Sequence, residues 1–119
     1  VHVPIHCTAS GKLFLAFMPT QRRELLLESL TLDRLTENTI TDAAALRSEC
    51  EAIVKAGFSL DREEFIVGLV AIAVPIFDEN GRVRAALATH APRARMSLKQ
   101  AESHLPAMQQ SASRMAQLM

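Results

Sequence analysis

Three stretches of the 119-residue chain hold side chains that could do chemistry. The first is Ala9-Ser10-Gly11-Lys12, small and hydroxylated residues running into the apolar LFLAFM. A phosphate loop needs glycine at position 6 and a hydroxyl at position 13, where His6 and Leu13 stand, so the nucleotide reading fails. A helix beginning here exposes first-turn N–H groups, and the helix dipole adds about half a positive charge, so the end attracts a carboxylate. The plainer alternative is a capped helix in which Thr8 or Ser10 serves its own backbone. The second stretch is Asp61-Arg62-Glu63-Glu64. Asp61 alternates with Phe58 and Leu60, which leaves either a solvated strand edge or a carboxylate turned into a pocket to accept from a ligand hydroxyl. The third is His90, on the same strand face as Ala88 among several alanines, either packed or lining a cavity. A Ser–His–Asp triad can be drawn from Ser10, His90 and Asp61, but no nucleophile-elbow motif supports a hydrolase. His2, His6 and Cys7 do not repeat at zinc spacing, so no metal is expected.

The elements that must position these residues can be read from periodicity and punctuation. Val1, Val3 and Ile5 alternate, predicting a strand end or extended lead-in, with Pro4 favouring an edge. A helix starts near Thr8 to Ser10 and ends at Pro19; a shorter one comes after Thr20, with Leu25, Leu26 and Leu30 at helical spacing. Residues 31–41 read as a loop with room for one short strand. Thr41 or Asp42 caps a helix whose stripe is Leu46, Cys50, Ile53 and Val54, stopped by Gly57. Beyond it come a strand over 58–61 with one polar face, a central strand over 68–77, an Asp78–Gly81 hairpin turn and a return strand over 83–91. Ser97 and Gln100 form a capping box for a last helix, which Pro106 kinks or restarts. Its stripe is Leu98, Ala101, Leu105, Met108, Ala112, Met115 and Met119. Helices, an antiparallel meander and a closing helix make an α+β arrangement.

Composition narrows the function. Thirteen basic residues balance thirteen acidic ones, which argues against the chain itself gripping nucleic acid. There is neither Trp nor Tyr, so stacking platforms are missing. The longest uncharged run, Phe65 to Phe77, falls short of the roughly 20 residues a membrane helix needs. Two cysteines, Cys7 and Cys50, fit a reducing compartment. The start at Val1, without an initiator methionine, reads as a piece of a longer polypeptide.

In order along the chain, HCTASGK, TITD, DREEF followed by glycine, and a hydrophobic strand ending PIFD resemble the effector-binding domain of IclR-type bacterial transcription regulators. The resemblance runs from about Pro4 to the C-terminus. It implies a GAF-like (profilin-like) α+β domain, an antiparallel sheet flanked by helices, lacking its N-terminal portion. It implies a cytoplasmic, non-enzymatic sensor without cofactor, working as a homodimer or homotetramer and touching DNA only through a winged helix-turn-helix domain absent from residues 1–119. The effector would be a small organic or aromatic acid. By the resemblance, the amides of Ala9 and Ser10 hold its carboxylate and Asp61 faces its other polar end. Ala71, Ala88 and His90 form the wall, at positions where some relatives carry Cys or Ser. That difference points to a larger or more apolar acid than a two- or three-carbon keto acid. A domain that only oligomerises, through the apolar face of the last helix, is the alternative from another class.

Overall fold

In the computed structural model, which describes residues 4–118, side-chain oxygens set three of the helix starts. Thr8 opens α1 (Ala9–Phe17) by accepting from the Gly11 N–H at 3.0 Å. Asp42 opens α3 (Ala43–Ala56) in the same way through Ala45. Ser97 and Gln100 close a reciprocal capping box on α4 (Leu98–Ser103). Such caps each contribute about 1 kcal/mol. Gly57 ends α3 at φ 84°, a left-handed conformation that glycine adopts without a side-chain penalty. Pro106 does not kink a continuous helix; it lies in the first turn of a new one, α5 (Leu105–Gln117), where its missing N–H costs nothing.

Between α3 and α4 run β1 (Ser59–Arg62), β2 (Leu69–Phe77) and β3 (Val83–Pro92), an antiparallel sheet with β2 in the middle. Alternation along β2 builds two cores. Ala71 and Ala73 face one way, against Ala9, Leu13 and Ala16 of α1 and Leu46, Cys50 and Ile53 of α3. Val70, Ile72, Val74 and Ile76 face the other, against Ala101 of α4 and Met108 and Ala112 of α5. The result is helices on both faces of a three-stranded sheet, the α+β order expected.

Several details differ from expectation. Val1 and Val3 lie outside the described residues, and Ile5 to Thr8 form bends instead of a strand. Thr8 Oγ1 donates to the Pro4 carbonyl and His6 Nε2 donates to the Asp33 carbonyl, which folds the segment back. The second helix, α2 (Thr20–Ser29), is one residue longer than α1, not shorter. It buries Leu27, 3% exposed, whereas Leu25 is 63% exposed. Residues 31–41 hold no strand. Val54 and Met115 lie exposed at the edges of their stripes, and Met119 lies outside the described residues. The polar side of β1 is buried along with the other: Ser59, Leu60 and Asp61 are all inaccessible.

Candidate functional site

The register of the sheet places Asp61 of β1 opposite Ala71 of β2, and Ala71 opposite His90 of β3. The three therefore stand in one row on the α1 face. One row along, Ser59, Ala73 and Ala88 do the same. Alanines at 73 and 88 let α1 pack close to the sheet. At the Asp61–Ala71–His90 row, where α1 begins, the helix leaves a hollow of about 550 Å³. Ile5, Thr8, Ser10, Gly11 and Phe14 line it from the α1 side, and Asp61, Phe65, Leu69 and His90 from the sheet side.

Of the candidate residues, Ser10, Asp61 and His90 thus lie on the wall of one hollow. Ala9, Ala71 and Ala88 stand behind it, in the core that the α1 face shares with the helix. Thr8 satisfies Gly11, while the Ala9 and Ser10 amides meet no acceptor among the described residues. Sequence reasoning missed the apolar wall of Ile5, Phe14, Phe65 and Leu69. Phe14 and Leu69 were accessible to it, since Phe14 lies one turn after Ser10 and Leu69 shares a strand face with Ala71.

Asp61 is 2% exposed, not solvated. Its Oδ1 accepts from the Glu64 N–H at 2.8 Å. Burial pushes the carboxyl above its usual pKa, against the opposing pull of that backbone N–H, and the negative charge of Glu64 adds to the rise. The chain reverses at Glu63, whose φ of 58° is unusual for a residue with a side chain. The 31–41 loop props this reversal: Thr36 donates to the Glu63 carbonyl, Thr39 to that of Glu64 and Asn38 to that of Arg62. The segment read from sequence as a loop is a scaffold for Asp61.

Beneath the hollow lies a second feature that sequence reasoning did not find. Lys12 is fully buried, and its Nζ donates to Glu49 Oε2 at 2.6 Å, the Leu60 carbonyl at 2.7 Å and Glu64 Oε2 at 2.9 Å. Three N–H groups meet three acceptors, so the ammonium is complete. Glu64 Oε2 also accepts from the Arg62 N–H at 3.0 Å. Lys12 therefore ties α1 to α3, to β1 beside Asp61 and to the turn that follows it. A lysine inside an otherwise apolar helix was the available signal.

The cysteines offer no reactive thiol. Cys7 and Cys50 are buried, and burial pushes each thiol up to about 11. Among the described residues no three His, Cys, Asp or Glu side chains converge on a metal-sized point. No helix among those residues is long and apolar enough to cross a membrane.

Comparison with known proteins matches this architecture. Residues 1–117 match the family described as Bacterial transcriptional regulator IclR C-terminal. Over 113 residues the chain is 39% identical to the Cupriavidus necator protein named Probable transcriptional regulator SauR, covering 95% of this chain and 45% of that one. The structure superposes on the inducer-binding domain of a PobR transcription factor double mutant from Acinetobacter, complexed with 3-hydroxybenzoic acid, with a TM-score of 0.93 and 29% identity. That match covers 98% of this chain and 67% of the other. Thermotoga maritima IclR superposes with a TM-score of 0.89 at 32% identity, over 97% of this chain and 47% of that one. The protein belongs to the IclR family of bacterial transcriptional regulators and corresponds to their C-terminal part. It spans less than half the length of SauR.

Proposed function

We propose that this chain is the effector-sensing domain of a DNA-binding transcription regulator and that its effector is a small organic or aromatic acid. The observation that carries the reading is the hollow where the first turn of α1, the Asp61 carboxylate and the His90 imidazole meet over otherwise apolar walls. The carboxylate of the acid sits at the amides of Ala9 and Ser10. Asp61, an acceptor when ionised, takes a hydrogen bond from a hydroxyl at the far end. Ile5, Phe14, Phe65 and Leu69 bury the body of the ligand, while Ala71 and Ala88 behind them leave it room. The 3-hydroxybenzoic acid held by the PobR domain has the same three parts, which supports the assignment. A comparable hollow of about 490 Å³ at the far end of the sheet, among Phe17, Val54, Phe77 and Ala112, brings no charged group to its wall. The domain works by binding and not by turnover. Its acid shifts an equilibrium between arrangements of subunits and DNA-binding domains, by as much as its affinities for the two states differ.

Calorimetry and thermal shift with 3-hydroxybenzoate, benzoate and two- and three-carbon keto acids test this reading. The aromatic acids are expected to bind more tightly than the keto acids and to raise Tm. Ser10→Pro removes one first-turn amide that a helix does not need, and should weaken every acid about 10- to 100-fold, the value of a hydrogen bond to a charged group. Asp61→Ala should weaken 3-hydroxybenzoate more than benzoate. Unchanged binding in both variants defeats the assignment. Exposed Met115 on α5 and Leu118 just past its end favour the rival reading of an oligomerising domain, which predicts self-association and no response to any acid.

A further inference from the structure

The hollow holds an unusual charge inventory for a site that receives an anion. Among the described residues on its wall, Asp61 is the one acid and His90 the one base. Lys12, the nearest buried cation, has spent all three N–H groups on Glu49, Leu60 and Glu64. An acid entering the hollow therefore brings a second negative charge close to Asp61, and no fixed positive side chain on the wall offsets it. The sheet register sets Asp61 and His90 on either side of Ala71, about 10 Å apart at Cα, the span of two strand spacings. A ligand reaching from α1 to Asp61 lies between them.

We propose that His90 takes up a proton as the acid binds, so that the domain reads acid concentration and pH together. This rests on the organic-acid reading of the hollow and adds its regulation. The surroundings of His90 are consistent with it. From β1 it is faced by Asp61; Leu69 and Ala71 of β2 and Ser10, Gly11 and Phe14 of α1 carry no charge. At the end of β3, Arg93 and Glu63 are paired with each other at 3.1 Å. Among the wall side chains the imidazole is the one that becomes a cation on gaining a proton. The protonated ring neutralises the incoming anion, so affinity falls as pH rises. Proton uptake by Asp61 instead would survive replacement of His90.

Isothermal calorimetry on the 119-residue chain, with 3-hydroxybenzoate and benzoate as probes and the neutral 3-hydroxybenzamide as control, separates these cases. Between pH 5.5 and 8 the two acids should lose about tenfold in affinity or more, by the linkage of ligand to proton. Buffers of different ionisation enthalpy should report proton uptake in the same range. The amide should show neither effect. His90→Gln replaces an exposed side chain on an edge strand, and should bind the acids with a flat pH profile and no buffer-dependent proton uptake, whatever affinity the altered wall leaves. Acid binding by the wild type that is independent of pH, or a slope that persists in His90→Gln, overturns the proton linkage and leaves the acid reading standing. Failure of both acids to bind at pH 5.5 overturns the acid reading and the linkage with it.

Discussion

Lys12 shows how much of this site depends on one side chain that never reaches the ligand. An ammonium ion is costly to bury, and three short hydrogen bonds make the position tolerable. The partners respond: burial tends to raise the Glu49 carboxyl, but Lys12, with help from Arg62, outweighs it and holds the group below its usual pKa. A carboxyl lowered on folding contributes stability above its unfolded pKa, and that contribution is lost as pH falls through the folded value. Lys12→Met leaves Glu64 buried without its cation, and should cost about 3–5 kcal/mol in urea unfolding at pH 7. The variant should also lack the wild-type loss of stability on acidification that Glu49 causes. Lys12→Met combined with Glu64→Gln should recover part of the loss, because the amide oxygen still accepts from Arg62 without a charge. If the double variant is no more stable than the single one, the network is not the source of the cost. At this scale the sequence was only partly legible. Ser10, Asp61 and His90 stood out by type, but the burial of Asp61 and Glu64 did not. A run of four charged residues looks solvated until a loop far away in sequence folds over it.

At the scale of elements, Gly11 carries more constraint than its place in a helix suggests. Replacing an exposed helical glycine with alanine ordinarily stabilises by roughly 0.5–1 kcal/mol. Here a Cβ on residue 11 would stand 2.5 Å from both Ile5 Cα and Thr8 Oγ1, and 2.9 Å from the Ile5 carbonyl oxygen. The backbone of the lead-in segment crosses the helix at that point, and Thr8 caps from the same side. Gly11→Ala should therefore reverse the usual sign, destabilising by about 1–3 kcal/mol as overpacked sites do. It should also weaken acid binding, because Ile5 and Thr8 are wall residues of the hollow. A denaturant midpoint equal to or above wild type would show that the close crossing does not persist in solution. Elements with local determinants were legible from the sequence: α3 with its Asp42 cap and Gly57 stop, the Asp78–Gly81 hairpin and the Ser97 capping box. Those settled by distant partners were not. The bends at 5–8 depend on Asp33, and the buried face of α2 depends on which leucine α3 accepts. Propensity has no access to either.

Over the whole molecule, the sheet is covered on both faces, and among the described residues its outer strands β1 and β3 each pair only with β2. The two edges differ in length: β1 has four residues, propped at its end by the 31–41 loop, and β3 has ten. Its ten residues include Ala85, Ala86, Ala88 and Ala91, whose intrinsic strand preference is poor, so β3 is held by the groups it packs against. The hollow is held unevenly: Ala71 is on the central strand, and Asp61 on β1 is buried and tied to the Glu64 N–H, whereas His90 on β3 is exposed. Opening free energies should fall in the same order. Hydrogen exchange should show the Val70–Ala73 amides, which lie between both neighbouring strands, opening only with global unfolding. The β3 amides that point away from β2 should exchange faster by about 100-fold or more, alternating along the strand with protected neighbours. A saturating acid that bridges α1 and His90 should slow exchange around residues 88–91 and leave the far end of β3, near Val83, unchanged. Uniform protection along β3 that disappears on dilution would mean that a second copy covers the edge. Uniform protection at every concentration would mean that the edge is closed in a way the three-strand order does not describe. With His90 as the movable wall of the site and Asp61 as the fixed one, exchange must alternate along β3 in the free domain and tighten only at the His90 end when the acid binds.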